Sequence, residues 1–583
     1  MEAAANTEPY SLRGKDFLIL ALFSLLFSGS SLVFVHILST HETAHCENVR
    51  EMFATGEWLI PQYGGRPWLE RPPVPHWLTA AGVAVYGHSD PERSYRIGSI
   101  LFSTLALLVF GWAVASCLGR TLGLMSAVIL GTMREFAAYA SGPEADIFLA
   151  CTVTMAGALL LRLLFAPEAR EKHLSFWGKR SGSTIIFFCL LGAMNAMKGP
   201  LFGMIFIGLA ISGWALWNRK YQELKPLVWI WGWLATLVIG AAWPVYAYLQ
   251  FPDILDLWAI DYGVRWQKGY LGEPFWYYFA QQPWNLFPWA ISTFIGLIVT
   301  FSRVRQGDSM LRLTWCWAIL PVLFFSLFKG KHHHYMLSCM APAAVLAAIG
   351  AQAFWRSLHA KPSWLNWPLL ALPLIGLPGA IAVILLRNKL PETTWAPWFF
   401  AVAWPMYAFA VWWMALRKNG QTAFVGICLL FCLANVAVRA YRSEYMNHYE
   451  CDKEFVRDVL VAAPADRPVY VLNELHPLWS SWMLFYAGDR VKLLHNITYL
   501  RDEKIHDRQV HLIARPSDLP ALAEYGTTQE VVHSRAMRAL NHASNPYTLY
   551  VLELHPNLPK TSAEVRMTPL QATGRTPGPY LIH

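Results

Sequence analysis

Residues 97–118 read IGSILFSTLALLVFGWAVASCL, a run of 22 residues without Asp, Glu, Lys or Arg. As a helix this run is about 33 Å long, enough to cross the hydrocarbon core of a bilayer. Similar runs recur on both sides of it until about residue 441. They predict thirteen membrane spans at 16–37, 97–118, 121–141, 144–165, 183–197, 200–217, 226–249, 284–303, 310–328, 334–353, 364–386, 395–416 and 421–441.

The composition agrees with a membrane protein. Of the 583 residues, 55% are hydrophobic and only 15% are charged, and the mean hydropathy is +0.32. Soluble chains carry about 25% Asp, Glu, Lys and Arg, so a soluble multidomain enzyme and a disordered scaffold are both excluded. The sequence therefore predicts a polytopic α-helical membrane protein with about thirteen transmembrane helices.

The excess of 47 Lys and Arg over 38 Asp and Glu predicts the orientation. If the N-terminus is cytoplasmic, the cytoplasmic flanks of the spans carry 18 basic and seven acidic residues. This bias follows the positive-inside rule and accounts for the whole excess, so nucleic acid is not needed as a partner. The first span lacks a small-residue cleavage site and is predicted to be a retained helix.

Two polar segments are then expected outside the cell membrane. The first is the loop 38–96, which is rich in Trp, Pro and His and longer than a simple connection requires. The second is the tail 447–583, whose pattern is typical of a small α/β domain. Its strand-like segments are 467–473, 490–495, 508–514 and 548–554, and its helix-like segments are 476–487 and 517–525. We therefore predict a membrane domain at 1–446 and a soluble extracytoplasmic α/β domain at 447–583.

Ionisable side chains collect at the predicted outer face, which makes them functional candidates because lipid tolerates them poorly. Carboxylates beside lysine and arginine suit a displacement in which a phosphate leaves. The candidates stand in the first loop, at the start of the fourth span, after the fifth span and after the ninth: His41, Glu42, Glu70, Arg71, Asp146, Lys198, Lys329, Lys331 and His332 to His334.

Each candidate also has a structural alternative. Glu42 fits the start of an interfacial amphipathic helix, where a carboxylate meets the positive end of the helix dipole. Glu70 or Asp146 fits an ion pair that pins helices together, and the lysines fit a snorkelling role at the interface. The three consecutive histidines bind one metal ion only if the turn is sharp.

At these residues the chain resembles the lipid-phosphosugar-dependent glycosyltransferases of the C-type (GT-C) fold. This group includes protein O-mannosyltransferases and the aminoarabinose transferases that modify lipid A. The likeness covers most of the chain and lies in five segments that occur in order: HETAHCENVREMFATGEWLIPQYGGRPWLERPPVPHWLTA at 41–80, GPEADIFLA at 142–150, KGP at 198–200, RW through FPWA at 265–290, and FSLFKGKHHHYMLSCMAP at 325–342.

The resemblance implies roles for individual residues. Catalytic roles fall on His41, Glu42, Glu70 and Asp146. The resemblance assigns binding of the donor phosphate to Arg71, Lys198, Arg265, Lys329 and Lys331. Contacts with the sugar are expected from Trp68 and Tyr262.

The chain departs from the family pattern at two positions. His41 stands where the family has an aspartate, and Tyr262 stands where a histidine is expected. A neutral imidazole serves as a base or as a metal ligand, so His41 keeps either role open. An acceptor that is already anionic, such as a lipid phosphate, needs no strong base. A divalent cation (Zn, Mg or Mn) held by His41 and Glu70 is left open, and no nucleotide cofactor is expected.

The resemblance implies an inverting glycosyltransferase of a bacterial inner membrane, acting on a polyprenyl-phosphate-linked sugar at the extracytoplasmic face. The acceptor would be a lipid or glycan of the cell envelope, with a lipid A-like phosphate favoured. The alternatives are a protein O-glycosyltransferase of the same superfamily and a lipid or solute transporter. The transporter alternative usually shows repeated halves and charges near the membrane midplane, and no internal repeat is visible.

Overall fold

The computed structural model describes residues 10–36, 38–167, 176–199, 201–259, 273–360, 420–449, 452–472, 481–494, 496–501, 507–534, 547–556 and 558, with single positions at 381, 402, 403, 405, 406, 409 and 413. The predicted spans 364–386 and 395–416 lie wholly or largely outside these residues. So do Tyr262 and Arg265, which the resemblance offered as a sugar contact and a phosphate ligand.

The chain divides into two compact units. The first unit consists of 1–34, 70–390 and 394–440, and the second consists of 35–69, 391–393 and 441–583. The sequence placed the whole first loop with the membrane domain and began the second domain at 447. In the structure, residues 35–69 of that loop belong to the second unit instead.

The first unit is built from apolar helices. In the part of the chain that the structure describes, seven segments are long and apolar enough to cross a membrane: Gly14–Leu32, Pro91–Leu118, Ala145–Phe165, Ile230–Gln250, Ser309–Ser326, His333–Arg356 and Phe424–Ser443. The helices Tyr277–Asn285 and Ala290–Gln306 are bent by 108° at the break between them, and together they are also long and apolar enough to cross a membrane. Shorter apolar helices occupy Arg120–Thr132, Gly182–Lys198 and Phe202–Asn218. The protein is a multi-pass helical membrane protein, as predicted.

Local sequence signals explain where these helices begin and end. The Asp90 side chain accepts from the backbone N–H of Arg93 at 3.2 Å, and Pro91 occupies the first helical position of Pro91–Leu118. Asp308 accepts from the backbone N–H of Leu311 at 3.1 Å and caps Ser309–Ser326. Each carboxylate satisfies one of the N–H groups that a helix leaves unpaired at its start.

The predicted span 284–303 is broken between the helices Tyr277–Asn285 and Ala290–Gln306, and two further predicted spans differ from the observed helices. The span 121–141 is interrupted: the helix Arg120–Thr132 ends at Met133, which has an extended backbone, and a short helix Arg134–Tyr139 follows. The span 334–353 begins with a 3-10 segment, His333–Cys339, before the α-helix Met340–Ala360. Both interruptions occur beside ionisable residues, because such side chains need polar partners that a continuous lipid-facing helix does not supply.

Close glycine contacts hold the histidine-bearing segment in place. A Cβ atom on Gly296 would lie 1.9 Å from the carbonyl oxygen of Leu346, and one on Gly350 would lie 2.0 Å from that of Ser292. The helices Ala290–Gln306 and Met340–Ala360 therefore cross at a distance that only glycine permits. This crossing positions the 3-10 segment that precedes Met340.

The second unit contains a five-stranded mixed sheet. Its strands are β3 (Val469–Leu472), β4 (Val491–Leu494), β5 (Gln509–Ala514), β6 (Gly526–His533) and β7 (Thr548–Leu554), after a small hairpin of β1 (Gln62–Tyr63) and β2 (Arg66–Pro67). The order in the sheet is β4-β3-β5-β7-β6. Strand β3 pairs in parallel with β4 and β5, whereas β7 is antiparallel to β5 and β6.

The C-terminal α/β domain is confirmed, with two differences in detail. The helix expected over 517–525 is one turn, Leu519–Leu522, after a 3-10 turn at Pro516–Asp518. Strand β6 was not predicted, because its sequence GTTQEVVH has few apolar residues and most of its side chains are exposed at the sheet edge. The other described helices of this region are Asp452–Ala462 and Ser481–Ala487.

The first-loop helix Thr40–Thr55 packs within this second unit. Ala44 and Tyr63 share one buried apolar cluster with Val469, Val471 and Trp482. The hydroxyl groups of Thr43 and Ser481 are 2.6 Å apart. Burial of apolar side chains from both segments explains why residues distant in sequence form one unit.

Candidate active site

A buried carboxylate at the start of the helix Ala145–Phe165 organises the polar centre of the first unit. We call its group the Asp146 cluster, made of Asp146, Lys198, Arg71 and His334. The Lys198 ammonium donates a hydrogen bond to Asp146 Oδ1. His334 Nε2 lies 3.8 Å from the same oxygen, and an Arg71 guanidinium nitrogen lies 4.0 Å from Oδ2.

Helix ends position the two central charges. Asp146 stands in the first turn of Ala145–Phe165, where the helix dipole favours an anion. Lys198 is the last residue of Gly182–Lys198, where the dipole favours a cation, and Gly199 ends the helix with a φ of 95°. The ammonium also lies 5.1 Å from the Phe202 ring centre and 4.9 Å from that of Tyr335. The aromatic faces shield it from lipid and add cation–π attraction.

The Asp146 cluster carries more positive than negative charge among its buried and half-buried side chains. The side chains of Lys198 and Asp146 are 4% and 9% exposed, whereas Arg71 is 22% exposed. Among these three side chains, two positive charges face one negative charge. Because the pair is shielded from water, the remaining positive charge favours an anion beside Arg71.

The segment that carries Arg71 is held by a buried histidine. His76 is buried beneath the turn Glu70 to Pro73, and burial together with the charge of Arg71 lowers its pKa to about 3. The imidazole is therefore neutral, and it hydrogen-bonds to the backbone at Pro72 and Pro73. His76 was not predicted from the sequence as a site residue.

A second polar group adjoins the cluster. His333 Nδ1 lies 2.5 Å from Oε1 of Glu135, and Arg134 donates to Oε2 of the same carboxylate at 2.7 Å. Glu135 was not predicted, since it lay inside the apolar run 121–141. Its adjacency to Arg134 within that run is the signal that identifies it, because charged pairs inside spans are seldom accidental.

The predicted phosphate ligands separate in the structure. Lys198 and Arg71 meet at Asp146, as described above. Lys331 instead donates to the backbone carbonyls of Glu273, at 2.9 Å, and Phe328. Burial lowers the pKa of Lys331, with Glu273 opposing that shift. Lys329 is exposed. Lys331 thus anchors its own loop, and its phosphate-binding role stays a prediction, like that of Lys329.

The first-loop candidates belong to different units. Glu70 is half-buried in the first unit beside Arg71, whereas His41, Glu42 and Trp68 belong to the second unit. The Glu42 carboxylate accepts from the backbone N–H of Ser39 at 2.8 Å, and Ser39 accepts from the N–H of Glu42 at 3.3 Å. This reciprocal cap is the structural alternative that the sequence offered for Glu42. Its catalytic role stays a prediction.

The predicted sugar contact Trp68 also has a local structural role. Its backbone N–H donates to the carbonyl of Pro61 at 2.7 Å, and its ring lies 5.3 Å from that of Tyr63. These contacts close the β1–β2 hairpin. The predicted sugar contact of Trp68 is a separate role, which stays a prediction.

The second unit contains its own cavity of about 470 Å³, whose lining includes Glu47, Arg50, Glu51 and Asp489. Arg50 donates to Glu47 at 2.8 and 2.9 Å and to Asp489 at 2.8 Å, which links the first-loop helix to the 3-10 turn before β4. Burial and the neighbouring charge of Glu47 raise the pKa of Glu51 to about 8. The backbone N–H of Gly65 donates to Glu51 at 3.1 and 3.2 Å. The hydrogen bonds of Arg50 and Gly65 bind the loop segments of this unit to one another.

A metal centre was left open by the sequence. Within the described residues, no group of three or more His, Cys, Asp and Glu side chains is placed to hold one metal ion. Asp146 is already surrounded by basic side chains, which would repel a divalent cation. We therefore derive no chemistry through a metal, and the cation at His41 and Glu70 stays a prediction.

Comparisons with known proteins agree with this architecture. Residues 70–248 match the family model described as dolichyl-phosphate-mannose-protein mannosyltransferase. An undecaprenyl phosphate-alpha-4-amino-4-deoxy-L-arabinose arabinosyl transferase from Erwinia tasmaniensis is 28% identical over 57% of this chain and 58% of its own. The transferase of the same name from Edwardsiella ictaluri is 28% identical over 61% of each chain. The chain thus spans about three fifths of the length of these relatives.

Solved structures show the fold more completely. The crystal structure of ArnT from Cupriavidus metallidurans bound to undecaprenyl phosphate superposes with a TM-score of 0.73 and 17% identity. That match covers 94% of this chain and 100% of the other. The apo structure of the same protein matches with a TM-score of 0.72. The fold that the sequence resemblance implied is confirmed, since the chain shares the fold of these solved structures over most of its length.

Proposed function

We propose that this protein is an integral membrane glycosyltransferase that moves a sugar from a polyprenyl-phosphate donor to a lipid or glycan acceptor of the cell envelope. The observation that carries the proposal is the Asp146 cluster, where Lys198 and Arg71 place two positive charges around one buried carboxylate. A phosphate group is the anion that such a paired cation site accepts best. The relatives named for undecaprenyl-phosphate aminoarabinose transfer support the same chemistry.

The proposed reaction is a single displacement at the anomeric carbon. The acceptor oxygen attacks that carbon from the face opposite the phosphate, and the bond between the carbon and the phosphate oxygen breaks. The configuration is thereby inverted. The phosphate leaves with the bonding electrons, and Lys198 and Arg71 stabilise its developing charge. Asp146 orients both cations, so the donor meets a preorganised site.

The donor sugar is a pentose or a hexose, and a lipid A-like phosphate is our preferred acceptor. We place the protein in a bacterial inner membrane, with the N-terminus cytoplasmic and the C-terminal domain periplasmic. The charge bias of the loops supports this orientation, because basic residues concentrate on the predicted cytoplasmic side. The proposed donor, a polyprenyl-phosphate lipid, would reach the protein from the same membrane.

A protein acceptor is the second candidate function. The matching family model is described as a protein mannosyltransferase, and it covers residues 70–248, which include Arg71, Asp146 and Lys198. Transfer to a purified lipid acceptor distinguishes the two candidates from each other. Movement of donor lipid across vesicles without transfer would favour the transporter alternative.

Arg71 offers the cleanest test of the phosphate site. Its contact with Asp146 is long and its side chain is partly exposed, so its removal should spare the fold. We expect Arg71→Gln to weaken binding of undecaprenyl phosphate about 10-fold to 100-fold, because a hydrogen bond to a charged group contributes about 1.5–3 kcal/mol. Purified protein titrated with undecaprenyl phosphate gives the measurement.

Arg303→Gln serves as the matched control. Arg303 is exposed and pairs with Asp308 at 2.7 Å near the end of another span. We expect this variant to bind the lipid phosphate as the wild type does. Equal affinities for wild type, Arg71→Gln and Arg303→Gln would contradict the proposed phosphate site.

A further inference from the structure

The group formed by Glu135 and His333 has the arrangement of a carboxylate–histidine dyad. His333 Nδ1 lies 2.5 Å from Glu135 Oε1, and the two side chains differ sharply in burial: Glu135 is 1% exposed and His333 is 43% exposed. A buried carboxylate that orients an accessible imidazole is the usual support for a histidine base.

The carboxylate is fixed from its other side as well. Arg134 donates to Glu135 Oε2 at 2.7 Å, and the backbone N–H of Arg134 donates to the carbonyl of Phe287 at 2.8 Å. The guanidinium lies 4.9 Å from the centre of the Trp284 ring. Both carboxylate oxygens are thus engaged, one by the arginine and one by the histidine.

This arrangement selects the tautomer of His333. An ionised carboxylate accepts hydrogen bonds and cannot donate, so Nδ1 must carry the proton. The lone pair is then on Nε2 of a side chain that is 43% exposed. A histidine kept only for packing needs neither the fixed tautomer nor the exposure.

The dyad adjoins the Asp146 cluster. His334, the next residue, lies 3.8 Å from Asp146, and the Tyr139 ring centre lies 6.3 Å from that of His333 and 6.1 Å from that of His334. Burial first, and then nearby carboxylates, raise the pKa of Tyr139, so its phenol stays neutral. His333 therefore lies one residue along the chain from the histidine that approaches Asp146.

We propose that His333 is the proton acceptor of the transfer reaction and that Glu135 positions it; this inference rests on the proposed function. His333 Nε2 takes the proton from the acceptor O–H as that oxygen bonds to the anomeric carbon. The bond from that carbon to the phosphate breaks, and the phosphate leaves with the electron pair. His333 then returns its proton to solvent. This step applies to an acceptor that enters as a hydroxyl, because a phosphate acceptor attacks through an oxygen that already carries negative charge.

His333→Asn tests the base without removing the hydrogen bond to Glu135. The asparagine amide can replace Nδ1–H as donor, but nothing replaces the lone pair of Nε2. We expect kcat to fall about 100-fold or more, as is typical when a general base is lost. KM and the affinity for undecaprenyl phosphate should stay as in the wild type. His88→Asn, at an exposed histidine of the first unit, is the matched control and should leave kcat unchanged.

The pH profile separates a base from a structural residue. In the wild type, kcat should fall on the acid side as His333 is protonated. Glu135→Gln removes a negative charge 2.5 Å from the ring, so this limb should move to lower pH and the rate should fall. The other titratable or charged groups on the elements around His333 are Arg134, Tyr139, Asp146, Lys198, Tyr277, Tyr278, His332 and His334.

A loss of activity in His333→Asn at every pH supports the base and a hydroxyl acceptor. Wild-type activity of His333→Asn at every pH overturns the dyad and leaves the phosphate site intact. Failure of Arg71→Gln to weaken lipid-phosphate binding overturns the proposed function instead.

Discussion

The ion pair between Lys198 and Asp146 allows stability and donor binding to be separated by experiment. Both side chains are less than a tenth exposed, and the lysine donates directly to the carboxylate. Replacement of Lys198 by Met leaves a buried carboxylate without its main partner. Breaking a buried pair in this way costs about 3–5 kcal/mol of folding free energy. We therefore expect Lys198→Met to unfold at a clearly lower temperature than the wild type.

The double variant Lys198→Met/Asp146→Asn removes both charges. Replacement of a buried pair by neutral groups is often close to neutral for stability, so most of the lost stability should return. Binding of undecaprenyl phosphate should not return, because only Arg71 then remains as a cation of the cluster. Loss of one charged contact of about 2 kcal/mol corresponds to about a 30-fold weaker affinity.

The assay uses the full-length protein in detergent or nanodiscs, with thermal unfolding and titration of undecaprenyl phosphate measured on the same preparations. Asp146→Asn alone completes the cycle and should retain both cations. Wild-type affinity in the double variant would refute the assignment of Lys198 to the phosphate. If Lys198→Met unfolded at the same temperature as the wild type, this would refute the argument that the buried Asp146 carboxylate needs Lys198 for folding stability.

The remaining predictions concern stability. The raised pKa of Glu51, about 8, means that the folded state keeps a proton that the unfolded chain releases near pH 4.5. Stability should therefore fall between pH 4.5 and 8 by up to about 1.4 kcal/mol per pH unit. Glu51→Gln should remove that slope in thermal unfolding, whereas the exposed control Glu524→Gln should keep it. Gly296→Ala should cost about 1–3 kcal/mol or more, since the new methyl group would meet the Leu346 carbonyl. Gly208→Ala, with open space around its Cβ position, should be neutral or slightly stabilising, and equal melting temperatures for the two alanine variants would contradict the close crossing.

Much of the fold was predictable because it follows from local patterns. Apolar runs of bilayer length predicted the helices, and alternating apolar residues predicted β3, β4, β5 and β7. Strand β6 escaped prediction because an edge strand needs few buried side chains and forms through backbone pairing with β7. The break at Met133 escaped because a hydropathy window averages over the charges at Arg134 and Glu135.

The site was predictable in its residue types but not in its grouping. Resemblance identified Arg71, Asp146 and Lys198, and the structure brings these three together. It also gave roles to Glu42 and Lys331, which in the structure cap a helix and bind backbone carbonyls. Residue type and position alone do not distinguish a ligand-binding charge from one that satisfies the backbone.

Hydropathy and periodicity are properties of neighbouring residues, so sequence alone was enough for the helical membrane class and the α/β tail. The orientation that the charge bias predicts stays a prediction. Contacts between distant residues depend on how the helices pack. Lys198 is 52 residues from Asp146, and His333 is 198 residues from Glu135. Only the packed structure could show that one buried carboxylate, Asp146, holds two cations and that another, Glu135, orients an imidazole. The reason is that burial and distance decide what each charge can do.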